Sequence, residues 1–211
     1  MRGLTHIAVC LAASIIAAEF LGYLLHRLMH SGWIPWLSAS HMKHHLILYS
    51  PLQKQRPSEQ YLDATTGEVA IGNIGLEWIA PSGVILAIAV VALRLLRVSF
   101  TDQVLSIGTI LVWSFMMFSY LHDLLHIKGI WIVSAPLLSS WFLTARRLHD
   151  IHHHVLNNEG LMEKNFGIGF FVFDRVFGTL AYETSPFNRR GYAAAQKRFQ
   201  NLYGDRGASV R

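Results

Sequence analysis

Long apolar stretches alternate with polar segments along the chain. Residues 4–25 are mostly apolar and are about as long as the ~20 residues that a helix needs to cross a bilayer. Residues 79–96 and 104–121 are two further apolar stretches, and only a short polar connection separates them. We predict three transmembrane helices, of which the last two form a helical hairpin.

Two other segments differ from these crossings. Residues 130–144 are apolar but short, and they contain Pro136, so we predict a re-entrant or interfacial helix there. Residues 26–70 are polar and cannot lie in hydrocarbon. The first apolar stretch follows Arg2, which is also typical of a secretory signal peptide. It continues past the possible cleavage region into a pair of histidines, which favours a retained helix.

The composition agrees with a membrane protein, because 52% of the residues are apolar and 15% are charged. The formal net charge is +5, but this topology places 15 of the 18 Lys and Arg residues on one side of the membrane, leaving Arg2, Arg94 and Arg97 on the other. The positive-inside rule then assigns the richer side to the cytoplasm, which explains the charge without a nucleic acid partner. The single cysteine, Cys10, excludes an internal disulfide and a thiolate-bound iron–sulfur cluster.

Histidine is the unusual residue of this sequence, because ten of the 12 copies fall in four clusters. The clusters follow the patterns HxxxH, HxxHH, HxxxH and HxxHH, and they consist of His26 and His30; His41, His44 and His45; His122 and His126; and His149, His152 and His153. Residues three or four apart share one face of a helix, so we expect each cluster to point its imidazoles at one place. The clusters precede and follow the predicted hairpin, so all four should meet just outside the bilayer on the cytoplasmic side.

Ten imidazoles are more than one metal ion binds. Neutral imidazole suits iron, zinc and copper, so we predict two adjacent ions with positions left for water or dioxygen. The predicted fold is an all-α integral membrane protein of a single domain, residues 1–211. It has about three transmembrane helices, a re-entrant or interfacial helix, and a cytosolic helical histidine-rich metal-binding cap. Whether the repeated order of the patterns reflects a duplication stays open.

Five further polar residues are candidates for a role at this site. Glu19 lies on the face of the first histidine pair. An ionisable residue in an apolar segment has three possible roles here: it orients a ligand, it lines the substrate path, or it is a buried carboxyl bonded to a neighbouring helix. Asp123 and Asp150 each follow a cluster histidine and could accept a ring N–H, but consecutive helical positions point apart, so we expect both to be solvated. We expect His6 to be structural or exposed, and His154 to lie outside the ligand set.

The four clusters in this order, followed by NFGIGFFVFDRVFGT at residues 165–179, resemble the fatty acid hydroxylase and sterol desaturase superfamily. The resemblance covers residues 26–179. It implies an all-helical membrane fold with a cytosolic dimetal site, usually di-iron, in which the ten clustered histidines are the ligands and Asn165 and Asp174 are supporting positions near the site. The glycines and phenylalanines of the last element also suit a turn that packs, so we expect its role to be structural support.

The resemblance also implies a reaction. This is the O2-dependent hydroxylation or desaturation of a C–H bond in a fatty acyl, sphingolipid, sterol or carotenoid substrate. The implied cofactors are two iron ions, which zinc can replace in purified protein, together with O2 and an external electron donor. The haem-binding HPGG sequence of fused cytochrome b5 domains is absent, so we expect electrons from a separate cytochrome b5-like or ferredoxin-like protein with its reductase. We favour a bacterial cytoplasmic membrane over the endoplasmic reticulum.

Two other functions also use clustered histidines. A membrane protein that binds and transports metal would place ionisable residues along its crossings, whereas residues 104–121 have none. A zinc-dependent lipid hydrolase would act without O2 and without a reductant. The requirement for O2 therefore separates the predicted oxidoreductase from the hydrolase.

Overall fold

The computed structural model describes residues 3–64, 67–72 and 76–207, and over these ranges the chain is helical and contains no strand. The α-helices are α1 (Leu4–Ser31), α2 (Pro35–Lys43), α3 (Leu76–Leu95), α4 (Phe100–Ser114), α5 (His122–Leu125), α6 (Ser139–His154), α7 (Val172–Val176) and α8 (Arg189–Gly207). The 3-10 helices are Ser58–Gln60 and Trp131–Ser134, and the π-helical segments are His44–Leu48 and Phe115–Leu121. The predicted all-α class is confirmed.

Helix α1 confirms the first apolar stretch as a helix and extends it. The helix has 28 residues and continues past residue 25 to Ser31, so His26 and His30 lie on its last two turns. Gly32 follows the helix, and its φ of 70° is the left-handed conformation that glycine readily adopts after a helix. Pro35 is the first residue of α2, a position where proline is favoured. The first histidine pair is therefore held on a regular helix just before the chain turns.

Among the described residues, two helices are long enough and apolar enough to cross a membrane, namely Leu4–Ser31 and Phe100–Leu125. The second of these combines α4, a π-helical segment and α5. The remaining predicted crossing is helical over Leu76–Leu95, and its apolar part among the described residues is Ile85–Leu95. The count of three crossings and the cytoplasmic location of the histidines stay predictions, and Arg2 lies outside the described residues.

Helix α1 packs along the Phe100–Leu125 helix. The ring of Phe118 lies so close to the backbone at Gly22 that a side chain at residue 22 would collide with it. In the same interface, Trp113 Nε1 donates a hydrogen bond to Glu19 Oε1 at 2.7 Å. These contacts align the two helices, so the first and third histidine clusters emerge next to each other.

The stretch of residues 130–144 is not one helix, contrary to the prediction. A 3-10 helix covers Trp131–Ser134, the chain turns through residues 135–138, and α6 begins at Ser139. Proline lacks the N–H that a continuous helix would need, which accounts for the break around Pro136. Residues 139–144, the second part of the predicted segment, are therefore the beginning of α6. The end of the same helix carries the last histidine cluster.

Both π-helical segments lie at histidine clusters. In the first, Tyr49 N donates to His44 O, five residues earlier, at 2.8 Å. The second ends at Leu121, directly before His122. A π-turn adds a residue relative to an α-turn, so it changes the direction of the side chains that follow, and such turns are frequent at functional sites. The π-turns therefore lie where they influence the directions of side chains in the second and third histidine clusters.

Two apolar cores surround the clusters. The larger one contains the fully buried Tyr49, Tyr61 and Phe142. The smaller one attaches α8, through Phe199, to Leu46 beside the second cluster. Helix α8 thereby covers the site on one side.

Candidate metal centre

Nine of the ten predicted ligands come together in two groups of buried imidazoles. The first group consists of His26, His30, His41, His45 and His152. The second group consists of His44, His126, His149 and His153. Within each group, one ring nitrogen from every member lies within 4.8 Å of those of the others. The groups are neighbours, because the rings of His45 and His153 have centroids only 3.9 Å apart.

The clusters divide between the groups, so the expectation that each cluster points at one place is wrong for both HxxHH clusters. His41 and His45 enter the first group, whereas His44 enters the second. Residues four apart differ by only about 40° around a helix, and consecutive residues by about 100°. The i, i+4 members therefore stay together while the middle histidine turns toward the neighbouring group.

The two groups have the same plan. Each uses an HxxxH pair, the first and last histidines of one HxxHH cluster, and the middle histidine of the other. For the second group the pair contributes His126 directly, and His122 lies beside the group, with its ring centroid 4.8 Å from that of His44 and 4.9 Å from that of His149. This exchange parallels the repeated order of the patterns in the sequence, and it ties the two halves of the site together.

The nitrogen spacing fits a metal centre in each group. In the first group, His30 Nε2 lies 2.9 Å from His41 Nε2 and 3.0 Å from His152 Nε2. In the second, His126 Nε2 lies 3.0 Å from the Nε2 atoms of both His44 and His149. Two nitrogens bound at right angles to one ion, each at ~2.1 Å, are separated by ~3.0 Å. The imidazoles are thus spaced like neighbouring ligands of one ion.

Backbone carbonyls fix the orientation of four of these rings. Nδ1 donates to a carbonyl oxygen in each case: His26 to Phe166 at 2.5 Å, His126 to Lys54 at 2.7 Å, His152 to Lys164 at 2.6 Å, and His153 to Tyr49 at 2.8 Å. A carbonyl only accepts, so Nδ1 carries the hydrogen, and the Nε2 of the neutral ring presents a lone pair to the group. This is the usual arrangement around histidines that bind metal.

Hydrogen bonding alone does not satisfy the nitrogens of the site. His126 and His153 both direct a bare Nε2 toward His149, at 3.0 and 3.1 Å, and the single hydrogen of a neutral His149 cannot serve both. His26 Nε2 and His122 Nε2 are buried without a hydrogen-bond partner among the described residues. Buried polar atoms are normally paired, so this set of donors and lone pairs is explained best by bound cations.

Burial keeps these imidazoles neutral. The pKa is lowered from its ordinary value of 6.5 for the histidines outside the crossing helices, namely His41, His44, His45, His126, His149, His152 and His153. Loss of hydration is the largest cause, and repulsion from neighbouring imidazoles adds to it; the pKa of His152 falls to about 4. Neutral imidazole is the form that binds metal, so the site is prepared for ligation at neutral pH.

We expect the metal-free protein to lose stability as the pH falls below about 6.5. Unfolded histidines then bind protons that the folded site excludes, so the unfolded state holds more protons and the free energy of unfolding decreases. One such group contributes up to about 1.4 kcal/mol per pH unit. Denaturant unfolding of metal-free protein in detergent between about pH 7.5 and 5.5 should give a steeper dependence than one group allows. A shallower dependence would contradict the neutral, buried site.

The comparison with known protein families agrees with this geometry. The family model described as fatty acid hydroxylase matches residues 11–179, which include all four histidine clusters and the element that follows them. The chain belongs to the fatty acid hydroxylase family. No curated protein and no solved structure matched the chain. Membership in this family indicates an oxidoreductase that acts on lipid C–H bonds, and the two histidine groups fit a metal site.

Asn165 and Asp174 form hydrogen bonds that hold the backbone beside the two histidine groups. Asp174 is fully buried and accepts hydrogen bonds from Phe166 N at 2.7 Å, Gly167 N at 2.6 Å and Thr179 Oγ1 at 2.7 Å. These bonds hold the turn whose Phe166 carbonyl orients His26. The expected structural role of this element agrees with these contacts.

Asn165 closes the same turn from its other side. Its φ of 56° is left-handed, a conformation that asparagine tolerates better than most residues. Its Nδ2 donates to Leu148 O at 2.9 Å and Ala181 O at 2.8 Å, and its Oδ1 accepts from Ala181 N at 2.7 Å. Asn165 therefore ties α6 to the segment after α7, directly beside the Lys164 carbonyl that orients His152.

Glu19 takes the third of its predicted roles. It is buried in the interface between α1 and α4, where Trp113 donates to it. The structure thus makes it a carboxyl bonded to a neighbouring helix.

The expected solvation of the two aspartates is wrong for Asp123. It is buried, and it accepts from Tyr61 Oη at 2.5 Å and from Gly72 N at 2.6 Å. Asp150 is half-buried and accepts from Gln55 Nε2 at 3.1 Å. Asp123 Oδ1 also lies 3.7 Å from His122 Nδ1, so this side chain does not point away from its neighbouring histidine as expected. Both aspartates accept hydrogen bonds from the polar segment between α2 and α3.

His6 and His154 both lie outside the two groups. His154 Nε2 contacts Ser185 O at 3.0 Å, and its ring faces that of Phe187. His6 is exposed and contacts Asp102. These positions agree with the expectations for both.

Two residues that hold His126 in place were not predicted from the sequence. Arg146 is buried, and its guanidinium donates to Leu124 O at 3.1 Å and Ile127 O at 2.7 Å. It thereby holds the turn that carries His126. The ring of Tyr49 packs against that of His126 with centroids 4.5 Å apart. Neither residue belongs to a recognisable pattern, because their partners are distant in the chain.

Proposed function

We propose that this protein oxidises a C–H bond of a lipid, by hydroxylation or desaturation, at a di-iron centre that the ten clustered histidines hold. The observation that carries the proposal is the pair of neighbouring groups of buried imidazoles, whose Nε2 atoms face one another at about the spacing of metal ligands. Iron is the proposed metal, with zinc as a possible substitute in purified protein. Two bound irons would supply the activation of O2.

The chain itself contributes binding, orientation and the exclusion of water. His26, His30, His41, His45 and His152 would hold one ion; His44, His122, His126, His149 and His153 would hold the other. Carbonyl acceptors fix the ring orientation at four of these positions, and Asn165 and Asp174 hold the turn that supplies two of the carbonyls. Burial of the imidazoles limits access of water to the reacting atoms.

A lipid substrate would reach this centre from the bilayer. The first and third histidine clusters are at the ends of Leu4–Ser31 and Phe100–Leu125, the two apolar helices that are long enough to cross a membrane. The centre thus lies at the boundary between apolar and polar parts of the chain. We propose the cytoplasmic side of a membrane as its location, a bacterial cytoplasmic membrane above all. A fatty acyl, sphingolipid, sterol or carotenoid would each present a C–H bond at that depth.

The reaction also needs electrons. We propose a separate cytochrome b5-like or ferredoxin-like protein with its reductase as the donor. Neither O2 nor a reductant is needed by a zinc-dependent hydrolase, so these two requirements test the proposal directly.

We expect cells that express the protein under 18O2 to accumulate a lipid that either carries one 18O atom or has lost two hydrogens. Mass spectrometry of total lipids checks this. A His41→Ala, His45→Ala double variant is the control, because it removes two members of the first group and leaves the crossing helices unchanged. A lipid product that forms equally without O2, or that takes its oxygen from water, would contradict the proposal and support the hydrolase.

A further inference from the structure

A third cluster of metal-binding side chains lies at the opposite end of α1 from the two histidine groups. It consists of His6, Cys10 and Asp102, whose ligand atoms all lie within 4.8 Å of one another. His6 Nε2 is 3.0 Å from Asp102 Oδ1 and 3.6 Å from Cys10 Sγ. A single imidazole nitrogen thus faces both a carboxylate and a thiol.

Two helices bring these side chains together. His6 and Cys10 are four residues apart on α1, so they share one face of the helix. Asp102 lies in the first turn of α4, where Ser99 Oγ donates to its other oxygen, Oδ2, at 2.8 Å. That hydrogen bond holds the carboxylate so that Oδ1 faces His6. The cluster therefore forms part of the contact between the two helices that are long enough to cross a membrane.

We propose that His6, Cys10 and Asp102 bind one divalent ion of the zinc type and that the ion clamps α1 to α4. A nitrogen at ~2.1 Å and a sulfur at ~2.3 Å from a tetrahedral ion lie ~3.6 Å apart, which is the separation of His6 Nε2 and Cys10 Sγ. The four-residue spacing on α1 brings the sulfur to the nitrogen that also faces Asp102, so one ion at this point would be within reach of all three ligand atoms.

Charge balance supports the same ligand. Metal binding releases the proton of a coordinating thiol, so a thiolate, a carboxylate and a neutral imidazole together cancel the charge of a divalent ion. A neutral complex suits the end of a crossing helix, where an unbalanced charge is costly. The side chain of His6 is 48% exposed and that of Asp102 is 13% exposed, so an ion can enter from solvent and a water molecule can complete its coordination.

This site is independent of the proposed oxidation. None of its residues belongs to the two histidine groups, which lie at the other end of α1. An ion that binds the folded protein more tightly than the unfolded chain raises its stability by mass action. The role of the clamp is therefore structural, and its test needs no lipid and no electron donor.

The sequence allows an unambiguous spectroscopic test, because Cys10 is the only cysteine. Any thiolate-to-metal charge-transfer band must come from that residue. We expect Co2+, titrated into the metal-free full-length protein in detergent with a non-thiol reductant, to produce such a band in the near ultraviolet. Because the two histidine groups can also bind Co2+, the band should reach its maximum with one Co2+ per chain beyond those that they take up, and Zn2+ should remove it.

Single substitutions test whether all three side chains bind. Cys10→Ser should abolish the band. His6→Gln and Asp102→Asn should each raise the apparent Kd for Co2+ at least ~10-fold, within the range of measured losses around metal sites. His154→Gln is the matched control and should leave the band unchanged. Circular dichroism confirms that each variant retains its helices. The proposal fails if saturating Co2+ gives no band, or if the band forms with unchanged affinity in both His6→Gln and Asp102→Asn.

Discussion

The His149→Ala, His153→Ala double variant is expected to lose one of the two proposed irons and all product formation. Both residues belong to the second group, where His149 Nε2 lies 3.1 Å from His153 Nε2. Their removal leaves His44 and His126 as the only members of that group, with His122 beside it, which are too few to hold an ion tightly. The first group keeps all five of its imidazoles and should retain its iron. Elemental analysis of protein prepared anaerobically with excess iron measures the change from two irons per chain to one.

His154→Ala is the matched control for this experiment. It removes a consecutive histidine from the same end of α6, but that side chain contacts Ser185 and Phe187 and lies outside both groups. We expect two irons and full product formation. Unchanged iron and activity in the double variant would contradict the assignment of the second group as a metal site. Equal loss in His154→Ala would mean that the end of α6, and not the ligands, determines metal content.

Replacement of Asp174 by Ala is expected to have the largest effect on stability. It leaves Phe166 N, Gly167 N and Thr179 Oγ1 without their acceptor, and each buried unsatisfied donor costs about 1–3 kcal/mol. A total of about 4 kcal/mol is a large part of the 5–15 kcal/mol that is usual for a folded protein. The turn also supplies the carbonyl for His26, so iron affinity should fall ~10–100-fold, as is typical when such support is lost.

Denaturant unfolding in detergent and iron titration measure these two effects. Asp150→Ala is the control, because Asp150 is also an aspartate near the site but accepts a side-chain hydrogen bond from Gln55 only. We expect a loss of about 1 kcal/mol or less for that variant. If Asp174→Ala were no less stable than Asp150→Ala, the hydrogen bonds at Asp174 would not be what holds the turn.

Local patterns in the sequence were sufficient for several features of this protein. The apolar lengths predicted α1 and α4, because about 20 residues must cover the hydrocarbon. The HxxxH spacing predicted pairs on one helical face, because residues four apart nearly coincide around a helix. His26 and His30 do enter the same group. The order of the clusters and the element at residues 165–179 were specific enough to indicate the family, which the match over residues 11–179 confirms.

Only the tertiary structure decided how the ligands divide. Helical periodicity separates His44 from His41 and His45, but only the packing of the helices decides that His44 joins His149 and His153 while His41 and His45 join His152. The burial of Asp123 against Tyr61 likewise depends on a contact between residues 62 positions apart. Helical periodicity determines which residues share a face. It carries no information about which distant element that face meets, because that depends on how the helices pack.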